Sequence, residues 1–345
     1  MVNLLDEATY QRFLAAPERF RDEIRPLPSG QWVVIDEVQR LPNLLNEVHR
    51  AIEEQGLRFV LSGSSARKLQ RSGVNLLAGR ALRRAMHPFL PEELGVHFDL
   101  ETALTVGLLP IVWDDDERAE TLAAYTRMYL KEEIQAEALV RNLAGFARFL
   151  PVAALYHGQA INAANIAREC GVSRTTVAGY LDILEATLLC FRLPGHEARL
   201  RVRERKHPKW YWCDAGLVRA MKGSRHAPVP EERGALFEGL VAQLLRAYRD
   251  YRQAFDDWYY WSTQNRSEVD FLLCRGADAL AIEVKSGVRF DPSWCKGLRA
   301  IRALDGLRRR ILVYPEGPAL RTDDGIDVLP FDDFAHQLSQ NELWP

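Results

Sequence analysis

The chain lacks any apolar run of roughly eighteen residues, the least that spans a bilayer as a helix. Met1 leads into Val2-Asn3-Leu4-Leu5-Asp6 without the basic and apolar stretches of a secretory leader. Neither membrane insertion nor export is indicated, and the expected location is the cytoplasm. Cysteine is scarce: Cys170, Cys190, Cys213, Cys274 and Cys295 are scattered, odd in number and form no CxxC pair. That excludes a disulfide frame and a cysteine-built zinc site and implies reduced thiols. Charge of one sign is missing too, since 45 Lys and Arg stand against 47 Asp and Glu. No whole-chain field draws a nucleic acid or a membrane surface, so any such partner has to be met by a local patch. There is no internal repeat and no low-complexity tract.

What is present is enough apolar material for more than one core. The 345 residues are 47% hydrophobic, and single cores stop growing at roughly 250 to 300 residues. Short apolar runs at Val2–Leu5, Trp32–Ile35 and Phe59–Leu61 alternate with helical patterns at Glu7–Ile24 and Leu44–Gln55. That alternation predicts a parallel sheet of βα units over residues 1–112, with ligands at the carboxyl ends of the strands. Asp114-Asp115-Asp116-Glu117 opens a helix running to about Ala138, which makes 113–145 a helical linker or lid. Residues 146–214 are helical by period and then strand-like. From about Glu231 a long amphipathic helix introduces a last α/β region, 230–345, with strands near Asp257–Trp261, Val269–Cys274, Leu280–Val284 and Arg310–Tyr314.

Val33-Val34-Ile35-Asp36-Glu37 is an apolar strand ending in two carboxylates. Nucleotide hydrolases hold magnesium and polarise water in this way, with Asp36 on the metal and Glu37 as base. A solvated turn has the same pattern. The next strand ends in Leu61-Ser62-Gly63-Ser64-Ser65, where a hydroxyl could sense a γ-phosphate, and Leu77-Ala78-Gly79-Arg80 adds an arginine able to reach phosphate within the chain or across a subunit interface.

In this order the three segments resemble a bacterial and archaeal family of AAA-superfamily ATPases that carry a C-terminal domain of unknown function with a restriction-endonuclease-like fold. The resemblance runs the length of the chain. It implies Walker B roles for Asp36 and Glu37, a sensor role for Ser62 or Ser64, an arginine-finger-like role for Arg80, and ATP with Mg2+ as cofactors. One departure stands out. In that family a GxxxxGK[ST] loop precedes the strand that Val2–Leu5 resembles, and no such loop occurs in these residues. Without its backbone N–H nest and lysine the β- and γ-phosphates lose most of their counter-charge. ATP affinity is therefore expected to be poor or absent, because the gene start lies further upstream or because the ATPase module is degenerate.

Ile161 to Leu181 has the form of a helix, a glycine turn at Gly171 and a second helix capped by Ser173. As a winged helix-turn-helix it would present Arg174, Thr175 and Thr176 to a major groove. Arg199, Arg201 and Arg203 line one face of the segment that follows and could form a phosphate-gripping wing, with His207-Pro208-Lys209 after it. The same pattern fits an exposed edge strand protected by charge, and such folds also serve as protein-docking or lid domains. Pro208–Asp214 reads as a buried strand ending in a turn, without assigned chemistry.

Glu268-Val269-Asp270-Phe271-Leu272 and Ala281-Ile282-Glu283-Val284-Lys285-Ser286 form a strand, a turn and a second strand. Alternation places Glu283 and Lys285 on one face, and a hairpin sets Asp270 across from them. Asp270 and Glu283 could share Mg2+ or Mn2+, with Lys285 orienting a water; Glu238, on the preceding helix, could join them. The set resembles the PD-(D/E)xK nucleases. A salt-bridged Glu283–Lys285 pair on a solvated strand is the alternative. The expected fold is thus α/β throughout: a truncated AAA-type parallel sheet, a winged helix-turn-helix domain and a restriction-endonuclease-like domain. The expected function is that of an AAA-type ATPase-family protein associated with DNA. A metal-dependent DNA or RNA nuclease and a non-enzymatic DNA-binding or protein-docking regulator are the alternatives. DNA, a second copy of the chain or a partner protein are the partners that these readings admit.

Overall fold

The computed structural model of the protein describes residues 1–63, 81–82, 84–136, 142–196, 207–224, 226–263 and 267–344. The chain divides into two compact units, one made of 1–83 with 183–188 and the other of 84–182 with 189–345.

The first unit is a three-stranded parallel sheet in the order β1 (Val2–Asn3), β2 (Trp32–Asp36), β3 (Arg58–Leu61). Helices α1 (Glu7–Ala15), α2 (Glu18–Ile24) and α3 (Leu44–Gln55) connect the strands. The single helix expected over Glu7–Ile24 is two, because Pro17 has no amide hydrogen to continue the first ladder and sits instead just ahead of the second helix. Asp6 caps α1 by accepting the Thr9 amide at 2.9 Å. Phe13, Phe20, Ile24, Leu44 and Val48 from the helices meet Val33 and Ile35 from β2 in one core. Each such buried side chain contributes about 1.5–3 kcal/mol.

The second unit begins with short helices α4 (Pro91–Leu94), α5 (Leu100–Val106) and α6 (Pro110–Trp113), followed by α7 (Arg118–Ala136) and α8 (Leu143–Leu155). After β4 (Gln159–Ala160) come α9 (Ala163–Cys170) and α10 (Arg174–Ala186), whose residues from Ile183 on are counted with the first unit, then β5 (Cys190–Leu193) and β6 (Lys209–Trp212). Strands β4, β6 and β5 make a small antiparallel sheet with β6 in the centre. Every residue of β6 is buried. Helices α11 (Ala215–Lys222) and α12 (Pro230–Arg252) lead into a six-stranded mixed sheet.

That sheet comprises β7 (Asp257–Ser262), β8 (Glu268–Arg275), β9 (Asp278–Val284), β10 (Leu307–Tyr314), β11 (Leu320–Arg321) and β12 (Asp327–Pro330), with helix α13 (Lys296–Ala300) between β9 and β10 and α14 (Phe331–Ser339) after β12. The order is β11-β12-β10-β9-β8-β7. Strands β9, β10 and β12 run parallel, while β7, β8 and β9 form an antiparallel meander. The β8–β9 turn uses Gly276 at φ +59, a conformation that costs glycine little. Val269, Leu272, Ala281, Leu298 and Leu312 form part of one core. Among the described residues no helix is long and apolar enough to cross a membrane.

Candidate functional site

Two side-chain constellations stand out, one in each unit. In the first, parallel pairing of Ile35 with Leu61 sets the carboxyl ends of β2 and β3 side by side. Asp36 and Ser62 are therefore neighbours, and the Ser62 hydroxyl donates to Asp36 Oδ1. The Ser62 carbonyl accepts the Val38 amide at 3.0 Å, and the Glu37 amide points to Ser62 Oγ at 3.4 Å. Glu37 itself is left-handed, φ 56 and ψ 44, a conformation that costs a non-glycine residue on the order of 1 kcal/mol and clusters at functional sites. The turn leaves Glu37 half-buried, with Oε2 accepting the Gln39 side-chain amide at 2.5 Å. Asp36, Glu37 and Ser62 thus meet at the adjacent carboxyl ends of β2 and β3, and an all-oxygen donor set of this kind suits a hard divalent cation. Ser64 and Arg80 lie outside the described residues.

The second constellation lies in the C-terminal sheet. Phe271 pairs with Ile282 across the antiparallel β8–β9 ladder, so Asp270 falls opposite Glu283 one step further on. Asp270 Oδ2 accepts the Val284 amide at 2.9 Å. Lys285 Nζ reaches Glu283 Oε1 at 2.5 Å, and the other oxygen of Glu283 is buried with no hydrogen-bond partner among the described residues. The expected triad of Asp270, Glu283 and Lys285 is therefore assembled on one sheet.

Glu238, on α12, joins them through Lys209. Lys209, the first residue of β6, is only 5% exposed. Its Nζ lies 3.0 Å from Glu238 Oε1, 2.5 Å from Glu268 Oε1 and 3.3 Å from Asp270 Oδ1. Tyr211, two residues along the same strand, donates its hydroxyl to Glu238 Oε1 at 2.5 Å. The Lys209 ammonium also stands 5.8 Å from the centre of the Tyr260 ring. Lys209, Tyr211 and Glu268 complete the candidate site, and local pattern does not reveal them. One sequence signal was available: a lysine opening a strand that is otherwise Trp-Tyr-Trp has to be paired if that strand is buried.

Four carboxylates, Glu238, Glu268, Asp270 and Glu283, here face two ammonium groups. Burial, followed by the charge of Asp270, pushes Glu238 and Glu283 above the ordinary carboxylate range, with Lys209 and Lys285 opposing. Burial works against the charge of Lys209 as well, but Glu238, Tyr211, Asp270 and Glu268 outweigh it and hold the lysine well above its ordinary value. Lys285 is raised for the same reason, burial being outweighed by Glu283 and Asp270. Among the described residues no group of three or more His, Cys, Asp and Glu side chains is arranged to hold a metal ion.

The helix–turn–helix segment is α9, a left-handed Gly171 at φ 64, and α10, with Ser173 Oγ accepting the Thr176 amide at 3.0 Å. Ile166, Ala167, Val177 and Leu181 are buried, while Arg174 and Thr175 are exposed and Thr176 is half-buried. Arg199, Arg201 and Arg203, the expected wing, lie outside the described residues.

Comparison with known proteins divides the chain in a compatible way. Residues 1–95 match the family model described as an AAA domain. That match overlaps most of the N-terminal unit. Residues 97–227 match a domain of unknown function, DUF8612, and 233–334 match another, DUF4143. The segment that matches the AAA model thus holds Asp36, Glu37 and Ser62, whereas Lys209 and the four carboxylates are divided between the other two segments. The uncharacterized proteins Mb2031c of Mycobacterium bovis and Rv2008c of Mycobacterium tuberculosis are each 27% identical over 318 residues, 90% of this chain and 71% of theirs. Among solved structures, protein VC1899 from Vibrio cholerae gives a TM-score of 0.25 at 13% identity, covering 94% of this chain and 93% of that one. Can2 from Sulfobacillus thermosulfidooxidans, solved with cyclic tetra-adenylate, gives 0.24 at 11%, covering 91% of each chain. Neither likeness is strong enough to carry a fold or a ligand over.

Proposed function

We propose that the protein is an AAA-type nucleotide-binding protein in which Asp36, Glu37 and Ser62 form the metal-and-water half of a nucleoside-triphosphate site. The observation that carries this reading is the hydroxyl of Ser62 on Asp36, at the carboxyl ends of adjacent parallel strands in a segment that matches an AAA domain. Open α/β sheets bind ligands at that edge. Bound Mg2+ would neutralise phosphate charge there. Asp36 supplies the anionic oxygen toward the cation, Ser62 fixes the orientation of Asp36, and Glu37 accepts the proton of an attacking water. Gln39 holds Glu37 in place. Because the 345 residues contain no GxxxxGK[ST] loop, nucleotide affinity in this chain by itself is weak. The test is titration of a fluorescent ATP analogue with and without Mg2+. Weak, Mg2+-dependent binding that disappears in Asp36→Ala supports the reading, and binding indifferent to both Mg2+ and Asp36 ends it.

A second reading, contact with duplex DNA through the start of α10, is supported by the exposure of Arg174 and Thr175 beside the Ser173 cap. Helix N-termini are where helix-turn-helix proteins read the major groove.

A further inference from the structure

We propose that Lys209 is the resident cation of the C-terminal carboxylate centre, occupying the place that a divalent metal ion would need and clamping the DUF8612 segment to the DUF4143 segment. An ammonium group has three protons to donate and no acceptor capacity. Three carboxylates, Glu238, Glu268 and Asp270, lie 2.5–3.3 Å from Lys209 Nζ, one for each proton. The fourth carboxylate, Glu283, takes Lys285 at 2.5 Å. Each acid of the centre therefore has a lysine already.

Geometry opposes sharing. A hard divalent ion held by Asp270 Oδ1 and Glu238 Oε1 would sit about 2.0–2.6 Å from each. The Lys209 nitrogen is 3.3 and 3.0 Å from the same two atoms. Two cations cannot share that space without one leaving, and Lys209 cannot easily leave. It begins a strand that is hydrogen-bonded on both sides, to β4 and to β5, and that strand is buried along its length. Tyr211, two residues on, is tied to Glu238 as well. The carboxylates come from α12 and β8, within 233–334, while the lysine comes from within 97–227. A charge cluster with the composition of a metal site is here closed by a side chain from the neighbouring segment.

The experiment is Mn2+ uptake by the full chain without nucleotide, followed by the loss of free Mn2+ signal in electron paramagnetic resonance, alongside thermal unfolding. In the wild type, Mn2+ uptake and the effect of Mn2+ on the unfolding midpoint are the same as in Asp270→Asn, so the C-terminal centre adds nothing to either. Lys209→Ala unfolds roughly 6–12 °C lower. It binds Mn2+ about tenfold or more tighter than the wild type, and the added Mn2+ raises its midpoint. Both gains vanish in Lys209→Ala/Asp270→Asn. Wild-type Mn2+ uptake that Asp270→Asn or Glu283→Gln abolishes overturns the proposal, because the lysine would then yield to metal. A folded Lys209→Ala that takes up no more Mn2+ than the wild type overturns it too. If Lys209→Ala does not fold, the wild-type comparison with Asp270→Asn and Glu283→Gln still decides the matter.

Discussion

Ser62 donates its hydroxyl to Asp36 across the parallel pair β2–β3, joining residues 26 positions apart at the adjacent ends of the two strands. If this contact orients Asp36 toward a cation, the three residues fail in different ways. Asp36→Ala removes the anionic oxygen and with it Mg2+-dependent nucleotide binding. Ser62→Ala keeps the charge but loses one hydrogen bond to a charged group, worth about 1.5–3 kcal/mol, so binding weakens by roughly ten- to a hundredfold. Glu37→Gln leaves binding intact and lowers hydrolysis. Titration with a fluorescent nucleotide and a phosphate-release assay separate the three, and equal affinity for wild type and Ser62→Ala would show that the contact is incidental.

Two glycines predict stability changes of opposite sign. A Cβ on Gly297, in α13, would overlap the backbone carbonyl of Glu268, which belongs to β8 and cannot rotate away. Gly297→Ala is expected to cost about 1–3 kcal/mol through this overpacking. A Cβ on Gly179, in the interior of α10, meets nothing. Gly179→Ala is expected to stabilise by about 0.5–1 kcal/mol, because alanine loses less backbone freedom on entering a helix. Denaturant midpoints of the two variants shift in opposite directions if the packing is as described.

Local pattern makes legible the strands that hold the candidate site residues. The apolar run into Asp36 reads as a buried parallel strand, and period-2 alternation places Glu283 and Lys285 on one face with Asp270 opposite, as the β8–β9 register has them. Pro17 divides the helical pattern at Glu7–Ile24 into two helices. What alternation could not show is contact between distant segments. Lys209 and Asp270 are 61 positions apart and meet only because β6 is buried against the elements that carry the acids. Read locally, His207-Pro208-Lys209 looks like the end of a basic wing. Its lysine instead turns inward, where burial demands a counter-charge.

The exposed start of α10 yields a test of nucleic-acid contact. If Arg174 and Thr175 face a duplex, Arg174→Ala lowers affinity by about 1–3 kcal/mol when it reads a base, or lowers the salt dependence by roughly one unit of slope when it meets phosphate. Fluorescence anisotropy with labelled duplex DNA at several salt concentrations distinguishes these outcomes. Affinity and slope both unchanged from wild type would remove α10 from any DNA interface. The helix–turn–helix core serves as the internal control: Asn162 caps α9 by accepting the amides of Ala164 and Asn165 at 3.0 and 3.3 Å, and Asn162→Ala is expected to cost about 1 kcal/mol of stability.

His157 makes the second unit acid-sensitive in a way that one substitution can isolate. It is buried, its Nδ1 accepts the Trp212 amide at 3.1 Å, and its ring lies edge-on to Tyr211 at 5.8 Å between centroids. Gly239, on α12, leaves room for the ring, since a Cβ there would overlap it. Burial, followed by the positive charge of Lys222, pulls its pKa down to about 3. An unfolded histidine titrates near 6.5, at about the value of a free imidazole. The folded state therefore binds the proton less well than the unfolded state. The stability that His157 contributes is fully present above about pH 6.5 and is lost as pH falls toward 3, at up to about 1.4 kcal/mol per pH unit. Asp214 acts with the opposite sign, because burial raises its pKa to about 6 and its contribution is lost as pH rises toward that value. The comparison must therefore be between variants at each pH. His157→Asn keeps an acceptor for the Trp212 amide and cannot be protonated. Urea unfolding at pH 7 and pH 5 is expected to show the wild type losing about 2 kcal/mol more than His157→Asn over that interval. Equal losses in the two proteins would mean that the imidazole reaches solvent and titrates normally.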